Sequence, residues 1–470
     1  MERTEKWGLS CLFLLLAYPA WVRGGTYVPI QAPLPYLGAV VLLSIIVLPL
    51  AFRKDASLRP TPMVARFRFL RDPVFWLGLA FLAYLSIQWW NAGRLLVFSW
   101  TQWKWIYAPP RVPWLPSAVD ADRAREMLYW FFPAWAVVLA VRSGLLGERG
   151  LYALYAAMAT NGALVAIFGI VQYASGTDSM YWIQPVSANF FATFGYQNHA
   201  GAFFVLMFSV SCGLVLDGLF SRHSRASPAW LALLIAVALL NLAGASLALA
   251  LVPMILVWLV AVVAAAYACR LAWQRLRPVG RLHMVVGAVA VLSLAYLLVA
   301  ALYRIWPERV YDRLWELRAS HLFAKKFDER AFLVTPAWAI WKDHPWFGVG
   351  GWGFRNFLGL YVDRSQWRLL AEPGQANVHN DPLQFLMEFG VVGAGLMAAV
   401  VVVLAAAVWR SRAWQKPLVR VPLLGALIVY VYSLMDLPFR CPAVVYAWLS
   451  VLAAMPGFMV CRRNKEENRK

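Results

Sequence analysis

Apolar runs long enough to cross a bilayer recur along the whole chain. They lie at roughly 7–22, 34–52, 73–90, 127–141, 152–173, 200–220, 229–245, 247–269, 282–303, 383–409, 419–435 and 441–461, judged against the ~20 residues a helix needs to cross the hydrocarbon core. Pro133 interrupts the fourth run, and only Gly244-Ala245-Ser246 separates the seventh from the eighth. That pair forms either a tight helical hairpin or one long broken helix. The pattern predicts an all-α polytopic membrane protein with about twelve transmembrane helices: nine within residues 1–303, a long loop over 304–382, and three more within 383–470 with the tail. The first run follows Arg3 and Lys6 as a signal peptide would, but Trp21-Val22-Arg23 makes a poor cleavage site, so a retained first helix is expected.

The polar segments between runs set the orientation. With the N-terminus cytoplasmic, the basic segments 53–72, 270–281, 410–420 and the tail all fall on one side, together with Arg142, Arg149, Arg222 and Arg225. Residues 174–199 on the other side hold no Lys or Arg. This asymmetry predicts that both termini are cytoplasmic. Two long segments, 91–126 and 304–382, are then outer loops. The second is expected to be partly helical. Val310, Leu314, Leu317 and His321 fit an amphipathic surface helix, and a second helical run over about 329–343 should end before Pro345.

Composition agrees. The chain is 62% hydrophobic and 14% charged, with mean hydropathy +0.61, whereas soluble domains run nearer half apolar and a quarter charged. A net charge of +20 would suggest nucleic acid in a soluble protein. Here the positive charge lies between apolar runs, where topology and anionic headgroups account for it, and no nucleic-acid partner is expected. The five cysteines form no C-x-x-C pair and read as small hydrophobes.

Several polar motifs invite chemistry. Gly348 to Gly353 spells G-x-G-x-x-G, but no strand precedes it, so a dinucleotide site is rejected. Asp120 and Asp122 form a carboxylate pair of the kind that holds a metal, and equally one that caps the helix starting near Arg123; capping is the better reading. Asn198 and His199 open the sixth run and either cap it or line an outward cavity, with capping preferred. His379-Asn380-Asp381 precedes the tenth run, and Asp381-Pro382 suits a helix start. Gln384 and Glu388 follow near one face with His379 if the helix reaches back. Glu388 lies inside an apolar run, where a carboxylate is expensive and usually paired or functional. Arg330, after Asp328 and Glu329, is either a surface ion pair or a diphosphate clamp.

Together these residues resemble the O-antigen ligase/polymerase superfamily. Its signature H-[NSQ]-x9-G-x-x-G stands here as His379, Asn380, Gly390 and Gly393. The run from Arg330 through His344-Pro345-Trp346-Phe347-Gly348-Val349-Gly350 and the string Phe194-Gly195-Tyr196-Gln197-Asn198 also resemble the family, over about residues 190–400. One departure stands out. Where the family carries a Ser-Arg-Gly-like element, this chain reads Ala245-Ser246-Leu247-Ala248, with Leu247 in place of the arginine; Arg304 or Arg355 would then supply the missing charge.

The resemblance implies a GT-C-like glycosyltransferase in the bacterial cytoplasmic membrane with a periplasmic active site. It would transfer or polymerise glycan from undecaprenyl diphosphate onto a sugar hydroxyl of a glycan or of lipid A core. His379 would act as general base, with Asn380 and Glu388 orienting or tuning it. Arg330, helped by Arg355 and Arg304, would neutralise the diphosphate, and Asn198 and Gln384 would support the site. No metal or other cofactor is called for, because arginine can do the charge work. Ligase and polymerase share this donor and motif. A lipid-linked saccharide flippase and a non-catalytic assembly subunit are the readings from other classes. Against the flippase, the informative residues gather at one side and no repeat is visible.

Overall fold

The computed structural model describes residues 3–51, 68–93, 96–99, 101, 103–107, 109–144, 148–185, 190–220, 227–275, 281–304, 311, 320–363 and 377–454. The fold is all-α and polytopic. Helices α1 (Arg3–Trp21), α2 (Val28–Gln31), α3 (Pro33–Ala51), α4 (Pro73–Trp90) and α5 (Ala121–Gly144) open the chain. Next come α6 (Glu148–Ala174), α7 (Gln197–Phe220), α8 (Pro228–Leu247), α9 (Leu251–Arg275) and α10 (Arg281–Tyr303). Then follow α11 (Ser320–Asp343), α12 (Phe354–Tyr361), α13 (Asp381–Ser411), α14 (Pro417–Tyr432) and α15 (Pro442–Ala453). Among the described residues, seven helices (α4 to α9 and α13) are long and apolar enough to cross a membrane, and shorter apolar helices accompany them at 29–45, 285–301, 417–432 and 442–453.

Helix α7 is the axis of the bundle. It is apolar all round, and it is buried on most sides by α6, α8, α9, α14 and α15, as an all-apolar helix must be. Small residues set the spacing. A side chain at Gly213 would strike Pro422, and one at Gly201 would strike Pro253, the close approach that apolar helices use in place of a hydrophobic driving force. Asn241 ties α8 to its neighbours by donating to Ala159 O, Val237 O and Ser211 Oγ. Helices α8 and α9 are separate, parted by Ala248–Ala250 with Leu249 in the left-handed region at φ +52°. Their junction lies by the end of α10, whose Tyr303 hydroxyl donates to Ser246 O.

One local expectation needs correction. Helix α5 runs through Pro133, since a helix in a packed apolar bundle tolerates one missing N–H. Helix α11 begins at Ser320 and runs unbroken to Asp343, Pro336 included, so the run expected from 329 starts nine residues early. It does stop before Pro345. The amphipathic helix expected over Val310 to His321 lies largely outside the described residues, as does Cys461. Two small hairpins were not foreseen: β1 (Leu96–Ser99) with β2 (Lys104–Tyr107), and β3 (Ser179–Met180) with β4 (Gln184–Pro185).

The feature that positions the site is a break inside α13. Gly390 has φ +60° and ψ −173°, a conformation essentially confined to glycine. The break frees the carbonyls of Met387 and Glu388 and the N–H groups of Val391 and Val392. The stretch 345–350 satisfies all four: Val349 N and Gly350 N donate to Met387 O and Glu388 O at 3.2 and 2.8 Å, and Pro345 O and Trp346 O accept from Val391 N and Val392 N at 2.8 and 3.1 Å. The Tyr84 hydroxyl of α4 lies 2.8 Å from both Phe347 O and Phe389 O, and Gln88 donates to Phe347 O. The motif glycines thus have a structural reason. A Cβ at Gly390 would collide with the Trp346 backbone, and one at Gly393 would press on Phe389 and the Tyr84 ring.

Gly390→Ala should therefore destabilise the protein by about 1–3 kcal/mol or more, seen as a lower Tm in lipid. Gly395→Ala, five residues on with open space around its α-carbon, should leave the Tm unchanged or slightly raised. Equal melting of the two variants would show that the break carries no strain penalty.

Candidate functional site

The site forms where α14 ends. Tyr432 is its last residue, and Ser433 caps it through N–H bonds to Val429 O and Tyr430 O. The carbonyls that follow would be orphans at a helix C-terminus. Instead Ser433 O accepts from Asp381 N at 2.9 Å, Leu434 O from Asn380 Nδ2 at 3.1 Å, and Met435 O from Arg330 Nη1 at 2.6 Å. The C-terminus of α14 thus meets the N-terminus of α13 and one cation from α11. The guanidinium suits the negative end of the helix dipole.

Asp436 comes next, and everything converges on it. Its Oδ2 accepts from Asn198 Nδ2 at 2.6 Å, Tyr432 OH at 3.0 Å and Arg330 Nη2 at 3.1 Å. Its Oδ1 accepts from Leu437 N at 2.9 Å and Tyr196 OH at 3.4 Å, and His379 Nδ1 faces it at 3.5 Å. Two carboxylate oxygens offer about four lone-pair sites, so Asp436 is saturated. Burial pushes its carboxyl up, but the His379 contact and the Arg330 charge outweigh burial and hold it well below the usual carboxylate range. Burial would lower the Arg330 pKa; the Asp436 charge reverses this and raises it.

His379 is held with little freedom. It has φ +57°, uncommon for a residue other than glycine, and its side chain is 13% exposed. Asn380 is the N-cap of α13: its Oδ1 accepts from Leu383 N at 2.9 Å. The helix therefore does not reach back to His379, and Gln384 and Glu388 do not share a helical face with it. Gln384 turns inward, where its Oε1 accepts from Val378 N and its Nε2 donates to Asn377 Oδ1 and Glu388 Oε1. Glu388 is fully buried and pairs with Arg440 Nη2 at 2.6 Å.

The structure brings Arg330, His379, Asn380 and Asn198 to one place. Asn198 and His199 spend their side chains across the bundle rather than on capping α7: Asn198 on Tyr196 and Asp436, His199 Nε2 on Leu437 O at 3.0 Å. Arg304 sits exposed after α10, and Arg355 lies over the Trp352 ring. Leu247, at the place of the family's arginine, is buried, and the Ser246 hydroxyl before it donates to Leu242 O. Asp120 does cap α5, its Oδ1 accepting from Asp122 N and Arg123 N. Among the described residues no three His, Cys, Asp or Glu side chains gather as metal ligands.

Sequence reading missed Asp436, Tyr432 and Arg440. Met435-Asp436-Leu437-Pro438 follows the eleventh apolar run, and a lone acid at a span's end, ahead of a proline, was the available signal.

Residues 202–398 match the family model described as O-Antigen ligase. No curated protein matches the chain closely. The matched segment covers α7 to α10, the Arg330 helix and the His379 motif through Gly393, while Asn198 and Asp436 lie just outside it. The family implies glycan transfer of the O-antigen ligase or polymerase type in cell-surface polysaccharide synthesis, with a lipid-linked glycan substrate and a membrane setting. Over that segment this multi-pass membrane protein is similar to the O-antigen ligase/polymerase superfamily.

Proposed function

We propose that the chain is a glycosyltransferase that moves glycan from undecaprenyl diphosphate onto a sugar hydroxyl, at the outer face of the bacterial cytoplasmic membrane. One observation carries the reading: an imidazole and a guanidinium from different helices meet on one buried carboxylate, Asp436. That arrangement supports reading the pair as a proton acceptor beside a phosphate-binding cation, the two groups a diphosphate leaving-group reaction needs.

The roles follow from the contacts. With Nδ1–H of His379 facing Asp436, Nε2 carries the lone pair and takes the acceptor hydroxyl proton. The acceptor oxygen then bonds to the anomeric carbon, the bond from that carbon to the diphosphate oxygen breaks, and the lipid diphosphate leaves with the electron pair. Arg330 spends two N–H groups on Met435 O and Asp436, and its remaining donors face the phosphates from a side chain one-third exposed. Asn380 fixes the backbone that presents His379. Glu388 acts at one remove, through Arg440 and Gln384. The positive-inside pattern supports the outward placement.

The test uses purified protein in lipid and a cell-derived undecaprenyl-diphosphate glycan. His379→Ala should melt like wild type and lose transfer by about 10²–10⁴-fold, and wild-type transfer should survive a chelator. Retained transfer in the mutant sinks the proposed base. A wild type that forms no glycosidic bond but carries lipid-linked glycan across vesicles would be a flippase.

Asp436→Asn should cut transfer and lower stability at pH 7 by on the order of 1–3 kcal/mol, reduced by the partial exposure of Arg330. The sign of the pH dependence follows from a depressed folded pKa. The Asp436 contribution is complete above the ordinary carboxylate value of about 3.9 and fades as pH falls through the lower folded value. The gap in Tm between wild type and variant should therefore hold from pH 7 down to about 4 and narrow below it. A gap that closes near pH 6 would mean that Asp436 is not the group responsible.

A further inference from the structure

The turn that carries Asp436 carries a second cationic centre four residues on. Arg440 is buried, pairs with Glu388, and sets its guanidinium 4.9 Å from the centre of the Trp352 ring. Arg355 of α12 lies over the same ring at 5.0 Å. Trp352 packs edge-on against Trp130 of α5 at 5.6 Å. Two turns back along α5, Arg123 grips both oxygens of Glu126 at 2.8 and 3.0 Å. Burial first, and then the charge of Arg123, lower the Arg355 pKa, so the guanidiniums feel one another.

Donors exceed acceptors here. Glu126 serves Arg123, and Glu388 and Asp381 serve Arg440 at 2.6 and 4.0 Å, whereas Arg355 has no carboxylate in ion-pair reach among the described residues. The indole N–H groups of Trp130 and Trp352 are buried without an acceptor among the described residues, a costly state unless something else supplies one. Packing explains Arg440, whose partner is Glu388. It does not explain why Arg355, on an exposed helix position, is set beside two like charges over an aromatic ring.

We propose that the Trp352 centre is a second anion subsite, built from Arg355, Arg123 and Arg440 with the two indole N–H groups, and that it takes a phosphate or carboxylate carried by a glycan substrate. Guanidinium forks and N–H donors suit such an oxyanion, and a neutral sugar would leave the Arg355 guanidinium and the two indole N–H groups without a charged acceptor. The subsite rests on the reading that this protein handles glycans. It is distinct from the Arg330 clamp yet near it: four residues of extended chain separate the Asp436 and Arg440 α-carbons by at most about 14 Å. One substrate can touch both, and the second contact selects acidic glycans over neutral ones.

The experiment measures binding of labelled inorganic pyrophosphate to the full-length protein in phosphatidylcholine nanodiscs. Wild type should show two sites. Arg355→Ala should weaken one about tenfold or more and spare the other, and Arg330→Ala should do the converse. Arg355→Gln, which keeps most of the side-chain stem, should match Arg355→Ala, separating charge from packing. Glucuronate should compete at the Arg355-dependent site and glucose should not. Pyrophosphate binding unchanged in both Arg355 variants overturns the subsite, whatever Arg330→Ala does. Displacement by phosphatidylglycerol in the disc but not by glucuronate overturns the glycan assignment in favour of a lipid headgroup. Arg355-dependent binding in a protein that makes no glycosidic bond would uphold the subsite and refute the transferase reading.

Discussion

A single buried carboxylate holds the functional end of this molecule together. Asp436 collects donors from the start of α7, the end of α14, the middle of α11 and the residue ahead of α13. Without that charge, Arg330 would be a buried-side cation with only a carbonyl to face, and His379 would lose the group that fixes its ring. Six contacts on two oxygens leave Asp436 no capacity for chemistry of its own. Its work is to hold its neighbours in position.

A second constraint acts on the backbone. The break at Gly390 and the 345–350 stretch complete each other's hydrogen bonds. The helix bearing Arg330 therefore arrives at α13 already registered: its chain continues past Asp343 into the turn segment that locks the break. Arg330 is fixed at one end by Asp436 and at the other, through 345–350, by α13. Tyr84 and Gln88 of α4 fasten the same junction from the bundle side.

Much of this was legible in the chain, for identifiable reasons. Apolar periodicity is a strong local signal, so helices appear over the apolar runs, and Asn380 caps α13 as Asp381-Pro382 promised. His379 and Arg330 stood out as polar groups beside apolar runs, and they meet. What did not show were pairings between distant segments. Nothing in the sequence around Asp436 reveals five side-chain and backbone donors and a histidine drawn from four elements. Glu388 was correctly marked as a carboxylate needing a partner, but Arg440, 52 residues later, could be found only in space. Helices run through Pro133 and Pro336 because a packed bundle overrides the local penalty of one absent N–H.

The fastening at Gly390 is made from peptide groups, and that has an evolutionary consequence. Four backbone hydrogen bonds across 345–350 set the placement of the Arg330 helix against the His379 half-helix, and they ask that glycine keep its place at 390 and, opposite the break, at 348 and 350. The other side chains of those segments are then free to change without moving His379 and Arg330 apart. A scaffold of that kind lets the surrounding surface diversify quickly while the placement of those two residues stays inherited.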